Sequence, residues 1–167
     1  MKLFLVGFMG VGKTYWGRVW SNITAMPFYD LDKMVEESLH QSIDECFQKK
    51  GELGFRKIES DVLRLTSNIK NGIIACGGGA PCYHNNMEWM NENGQTIYIK
   101  ASTFFLKNQL LMDPMPRPLI QHISEDELLP YIEKKLKERS CFYEKSAIHL
   151  LAEQLKPETI KEIIEQI

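Results

Sequence analysis

Residues Gly7-Phe8-Met9-Gly10-Val11-Gly12-Lys13-Thr14 form a complete G-x-x-x-x-G-K-[ST] phosphate loop, placed directly after the apolar run Leu3-Phe4-Leu5-Val6. That context restricts what the chain can fold into. A short buried strand, a glycine-rich turn and a helix opening at Lys13 must follow one another. In this setting backbone N–H groups wrap a polyphosphate, and the positive end of the helix dipole adds to the attraction. The candidate nucleotide contacts are Gly10, Val11, Gly12, Lys13, Thr14 and Tyr15. Lys13 would reach the β- and γ-phosphates, and the Thr14 hydroxyl would hold Mg²⁺.

The rest of the chain repeats the same alternation. Apolar runs at 2–6, 27–29, 72–76, 96–99 and 147–151 read as short buried strands, mostly parallel. Amphipathic stretches fall between them. The first runs from Lys13 to about Ser21, with Gly17 allowing close packing on the sheet, and the second follows Asp32 to Leu39. A capping box, Ser42-x-x-Glu45, opens a helix that should stop at Gly51, and another covers Phe55 to Leu65. Further helices are expected from about Asn85 to Gly94, over Ser102–Met112, and from the box Ser124-x-x-Glu127 to about Arg139. Pro157 suits the first turn of a last helix ending at Ile167. The expectation is one α/β domain over residues 1–167, with a central, mostly parallel five-stranded sheet flanked by helices.

Composition excludes more than it assigns. The net charge of −2 gives no reason to expect nucleic acid or an anionic membrane as partner. The apolar start is too short for a signal peptide, and no run approaches the ~18 apolar residues of a spanning helix. Cys46, Cys76, Cys82 and Cys141 show no C-x-x-C spacing, which fits reduced thiols in the cytoplasm. With no regulatory domain in the sequence, a monomer is the default expectation.

Several residues could carry chemistry. Phe28-Tyr29-Asp30-Leu31-Asp32 ends a strand in Asp-x-Asp at the edge where α/β sheets bind ligands. Asp30 is the better Mg²⁺ candidate, whereas Asp32 either serves substrate hydroxyls or caps the next helix. Gly77-Gly78-Gly79 at the end of another strand removes three β-carbons, more than a plain turn needs, and so favours ligand approach to the backbone. Arg56 and Glu59 share a helix face and form either a surface ion pair or a guanidinium fork oriented for an anion. Arg139, four before Tyr143, could be a second fork. The segment Asp113-Pro114-Met115-Pro116-Arg117-Pro118 excludes helix and strand, leaving a lid or a surface connection.

Taken in order, Gly7–Thr14, Asp30-x-Asp32, Gly51-Glu52-x-x-Phe55-Arg56-x-x-Glu59, Gly77–Gly79, Arg117-Pro118-Leu119 and Arg139-x-x-x-Tyr143 resemble the shikimate kinases, which have a nucleoside-monophosphate-kinase-like P-loop fold. The resemblance implies ATP-dependent phosphorylation of the shikimate 3-hydroxyl, with Mg²⁺ at Thr14 and Asp30. It implies that Arg56 and Arg139 grip the substrate carboxylate, with Glu59 orienting Arg56. Asp32 would take the hydroxyls as base or orienter, and the glycine run, chiefly Gly78, would offer its backbone. Lys13, Asp32 and Arg117 become the catalytic candidates, with Arg117 closing over ATP from a lid at about 112–124. The substrate-binding helical region would span about 32–61.

One position departs from the family pattern. Relatives usually carry an arginine seven or eight residues before the lid arginine, stacked on adenine. Here the neighbourhood reads Lys107-Asn108-Gln109-Leu110-Leu111, so Lys107, apolar surface or Pro157 would have to support the base. The alternatives are a kinase for another small acid, such as gluconate, or for a nucleoside monophosphate, and a non-catalytic nucleotide-binding module.

Overall fold

The computed structural model describes residues 1–113, 120 and 122–167. Five strands, β1 (Lys2–Val6), β2 (Phe28–Asp30), β3 (Gly72–Ala75), β4 (Gln95–Lys100) and β5 (Ile148–Leu151), form one sheet in the order β2-β3-β1-β4-β5. Every pairing in it is parallel. Parallel neighbours require crossovers, and the helices supply them on both faces. These are α1 (Lys13–Thr24), α2 (Leu31–Leu39), α3 (Ile43–Leu65), α4 (Asn86–Asn93), α5 (Thr103–Met112), α6 (Glu125–Tyr143) and α7 (Thr159–Gln166).

The period-2 alternation of β1 divides the core in two. Leu3 and Leu5 join Trp20, Ile73, Ile97, Ile160 and Ile163 on one face. Phe4 and Val6 join Leu31, Val35, Leu63, Ile74 and Met90 on the other. Gly17 lets α1 lie on the sheet, since a β-carbon there would collide with the Phe28 ring.

Register is what positions the site. Ala75 pairs with both Leu5 and Asp30, so the carboxyl ends of β1, β3 and β2 lie side by side. The phosphate loop, the glycine run and the Asp-x-Asp segment therefore emerge at one edge, where open α/β sheets bind ligands.

The expected elements are present, with shifted ends. The Ser42–Glu45 box forms reciprocally at the start of α3. That helix does not stop at Gly51 but kinks there (φ 67°, ψ 179°) and resumes, joining two segments expected to be separate helices. Glu127 accepts from Ser124 N–H and Oγ at 3.3 and 2.7 Å, and α6 runs four residues past Arg139 to Tyr143. α7 begins at Thr159, so Pro157 precedes the helix rather than occupying its first turn.

Candidate active site

The phosphate loop takes its shape from backbone that only glycine adopts readily. Gly10 and Gly12 have φ of 80° and 94°, and Gly12 caps α1. Val11 buries its side chain in the core and its N–H donates to the Phe8 carbonyl at 3.3 Å, which anchors the loop. Lys13 is buried, with Nζ donating to the carbonyls of Gly7 and Phe8 at 2.8 and 2.9 Å across the mouth of the loop.

Asp30 links the loop to the neighbouring strand. Its Oδ2 accepts from Thr14 Oγ1 at 2.9 Å, and its Oδ1 accepts from Asp32 N at 3.1 Å. Asp30 is thus the cap of α2, and Asp32 lies in its first turn. The cap role considered for Asp32 belongs to Asp30, because α2 starts two residues earlier than the sequence pattern indicated. Among the described residues no group of three His, Cys, Asp or Glu side chains could cage a metal. The adjoining Thr14 and Asp30 oxygens nonetheless suit Mg²⁺, which keeps waters and takes one or two carboxylates together with substrate phosphates.

The other half of the cleft is built around cations. Arg56 is 3% exposed, and its Nη1 donates to Glu59 Oε2 at 2.8 Å. Its Nη2 donates to Glu52 Oε1 at 3.3 Å, and the guanidinium stands 5.1 Å from the Phe55 ring centre and 5.0 Å from that of Tyr83. An ion pair this deep is not a weak surface bridge. Burial pushes the Glu59 carboxyl up to about 7, opposed by Arg56 and assisted by the charge of Asp32. Arg139, also buried, lies over the Phe8 ring at 5.9 Å. Arg56 Nε, Arg139 Nη1 and Glu59 Oε1 are buried without a hydrogen-bond partner among the described residues. Unsatisfied guanidinium donors at a cleft suit an anionic group.

The glycine run has a reason the sequence did not disclose. A β-carbon on Gly77 would stand 2.7 Å from Glu59 Oε1 and 2.8 Å from Asp32 Oδ1. One on Gly79 would fall on the Arg56 guanidinium, and one on Gly78 would lie 3.1 Å from Met9 N in the phosphate loop. The close approach comes first from the protein's own charged heads, which occupy the space that side chains would fill.

Gly10, Gly12, Lys13, Thr14 and Tyr15 share a single cleft of about 720 Å³ with Asp30, Asp32, Arg56, Glu59, Gly77–Gly79 and Arg139. Val11 supports it from the core. Pro157 is exposed and not part of the cleft wall, and Arg117 with most of the expected lid lies outside the described residues. On α5, Gln109 and Met112 line the cleft, whereas Leu110 is 7% exposed and packs beside Gly10. Glu52 and Tyr83 complete the setting of Arg56; Glu52 stood in the family motif without an assigned role, and Tyr83 was not singled out from sequence. For Glu52 the i,i+4 spacing to Arg56 was the available signal. Tyr83 lies 27 positions after Arg56 in sequence and had none.

A loop shaped for a polyphosphate, facing a buried pair of guanidinium groups across one cleft, is the layout of a P-loop kinase acting on a small organic acid. The family model described as shikimate kinase matches residues 9–167. A shikimate kinase from Bacteroides thetaiotaomicron is 36% identical over 156 residues, 93% of this chain and 89% of that protein. A crystal structure of shikimate kinase from the same organism superposes with a TM-score of 0.94 at 34% identity, covering 99% and 98% of the two chains. The Acinetobacter baumannii shikimate kinase solved in complex with shikimate gives 0.84 at 30% identity, covering 99% and 90%. The chain belongs to the shikimate kinase family.

Proposed function

We propose that this protein transfers the γ-phosphoryl group of ATP to the 3-hydroxyl of shikimate, yielding shikimate 3-phosphate and ADP. The observation that carries this reading is the pair of buried, incompletely satisfied guanidinium groups of Arg56 and Arg139 in the cleft that begins at the phosphate loop. A carboxylate on a hydroxylated ring satisfies those donors at one end and leaves hydroxyls for Asp32 at the other.

In this account residues 1–167 act as one kinase domain, with substrate held by the region at about 32–61 and a lid at about 112–124. The loop amides and Lys13 hold the β- and γ-phosphates in line with the acceptor hydroxyl. Thr14 and Asp30 would hold Mg²⁺, which would supply positive charge against the phosphates. Asp32 accepts the hydrogen bond of the attacking hydroxyl and orients it. The new P–O bond forms as the bond to the β-phosphate oxygen breaks, and a loose transition state asks little of a base. Arg117 meets the charge on the transferring group when the lid closes. Gly78 offers its backbone to the substrate.

No described helix is long and apolar enough to cross a membrane. We assign the protein to the cytoplasm as a monomer, with ATP and shikimate as partners and neither nucleic acid nor membrane.

Thermal unfolding tests the acceptor. A ligand at 100 times its Kd adds about 2.7 kcal/mol to stability. With ATP analogue and Mg²⁺ present, shikimate should raise the midpoint well above the effect of gluconate or a nucleoside monophosphate. A larger shift from either competitor would overturn the assignment.

A further inference from the structure

The glycine run carries no side chains with which to brace itself, yet it lies against both the acceptor residues and the phosphate loop. Gly77 adjoins Asp32 and Glu59, Gly78 adjoins Met9 of the phosphate loop, and Gly79 adjoins the Arg56 guanidinium. A displacement of this turn would move the acceptor groups relative to the phosphate donor.

Two buried side chains outside the cleft wall end on this turn. Tyr143, 0% exposed at the end of α6, donates from Oη to the Gly78 carbonyl at 2.5 Å. Its ring lies 5.2 Å from that of Tyr98 on β4, which fixes its direction. Asn86, also 0% exposed, donates from Nδ2 to the Ala80 carbonyl at 2.8 Å, and its Oδ1 accepts from Ser60 Oγ at 2.8 Å. Tyr143 follows Arg139 by one helical turn, and Ser60 follows Glu59 directly. Each helix that carries an anion-gripping arginine is therefore tied to the turn by its own hydrogen bond or chain of bonds.

On the functional reading above, we infer that Tyr143 and Asn86 are positioning residues that hold the Gly77–Gly79 turn between the phosphate loop and the acceptor pocket. Neither touches the reacting atoms. Burial pushes the Tyr143 phenol well above its ordinary range, so it remains a donor at any working pH. Losing either donor leaves a carbonyl unsatisfied, in the turn at Gly78 or just after it at Ala80, and the turn free to shift. The acceptor site should suffer and the nucleotide site should not, because the phosphate loop is held separately by the bonds of Val11 and Lys13 to its own carbonyls.

The test uses Tyr143→Phe, which preserves shape, and Asn86→Asp, which keeps the acceptor for Ser60 and removes the donor to Ala80. Ser60→Ala serves as control, since it leaves the bond from Asn86 to Ala80 intact. In steady-state kinetics both test variants should raise the KM for shikimate about tenfold, the scale of one lost buried hydrogen bond, and keep the KM for ATP within about twofold. Ser60→Ala should change the melting temperature without separating the two KM values. Amide hydrogen exchange needs no substrate and keeps this inference distinct from the choice of acceptor. The Ala80 and Cys82 amides, bonded to the Gly77 and Gly79 carbonyls, should exchange about tenfold faster in Tyr143→Phe. Failure of the parent protein to turn over shikimate would overturn the functional reading alone. Wild-type exchange in Tyr143→Phe would overturn the brace, and so would faster exchange with an unchanged shikimate KM. If Asn86→Asp does not fold, Tyr143→Phe decides.

Discussion

Replacing Glu59 by glutamine should make the protein more stable and a poorer enzyme, and the gain in stability should grow with pH. Glu59 is 1% exposed, with one oxygen on Arg56 at 2.8 Å and the other without a partner. Burial raises its carboxyl from 4.5 to about 7. The native chain thus keeps a proton that the unfolded chain releases between about pH 4.5 and pH 7. That contribution to stability is full below 4.5 and is lost as pH rises through 7. At about 1.4 kcal/mol per pKa unit the loss is about 3 kcal/mol. Glutamine is nearly isosteric with the protonated acid and does not titrate. Urea unfolding of both proteins from pH 5 to 8 gives the difference, in which titrating groups not coupled to Glu59 cancel. It should be about 1 kcal/mol at pH 5 and reach about 3 kcal/mol in favour of Glu59→Gln at pH 8. Shikimate affinity should fall, since the half-exposed Glu52 would be the one carboxylate among the described residues still paired with Arg56. A difference that stays flat with pH, or that turns against the variant as pH rises, would refute the reasoning.

Arg56→Ala and Arg139→Ala should each weaken shikimate binding by about 2–5 kcal/mol while calorimetric ATP binding survives. Arg117→Ala should lower kcat far more than shikimate affinity, and equal losses of affinity in all three would show the roles misassigned. Gly79→Ala places a methyl where the Arg56 guanidinium lies, costing about 1–3 kcal/mol, read as a raised shikimate KM with an unchanged ATP KM. Gln109→Arg, at the cleft wall, should shift the ATP-to-GTP ratio of kcat/KM toward ATP by the roughly 0.5–2 kcal/mol of a guanidinium over a base. Leu110→Arg, buried beside Gly10, should chiefly lower the melting temperature. Equal ratios in the parent and Gln109→Arg would assign the base contact to another residue.

Where sequence and structure agree, the cause is local. The loop between β1 and α1, the five strands and the two capping boxes depend on residues within a few positions of one another. Gly51 marked a real break in the helix, but side-chain packing of both halves against α2 and the core carries α3 through it as a kink. Asp30 and Asp32 stand together at the end of β2, but the cap role falls to Asp30, because two residues of helix boundary decide which side chain caps. The glycine run was noticed for its composition, yet its neighbours come from elsewhere in the chain. Arg56, Asp32 and Met9 meet it only through the register of β1, β2 and β3. The bond from Tyr143 to Gly78 spans 65 residues, and no pattern within a window of sequence contains it.

The central claim is that shikimate is the acceptor, and a coupled ADP-release assay tests it most directly. With ATP and Mg²⁺ saturating, kcat/KM should be far higher for shikimate than for gluconate or any nucleoside monophosphate. ADP and shikimate 3-phosphate should form in equal amounts. Faster turnover of a competing acceptor, or ADP release that does not depend on shikimate, would contradict the account.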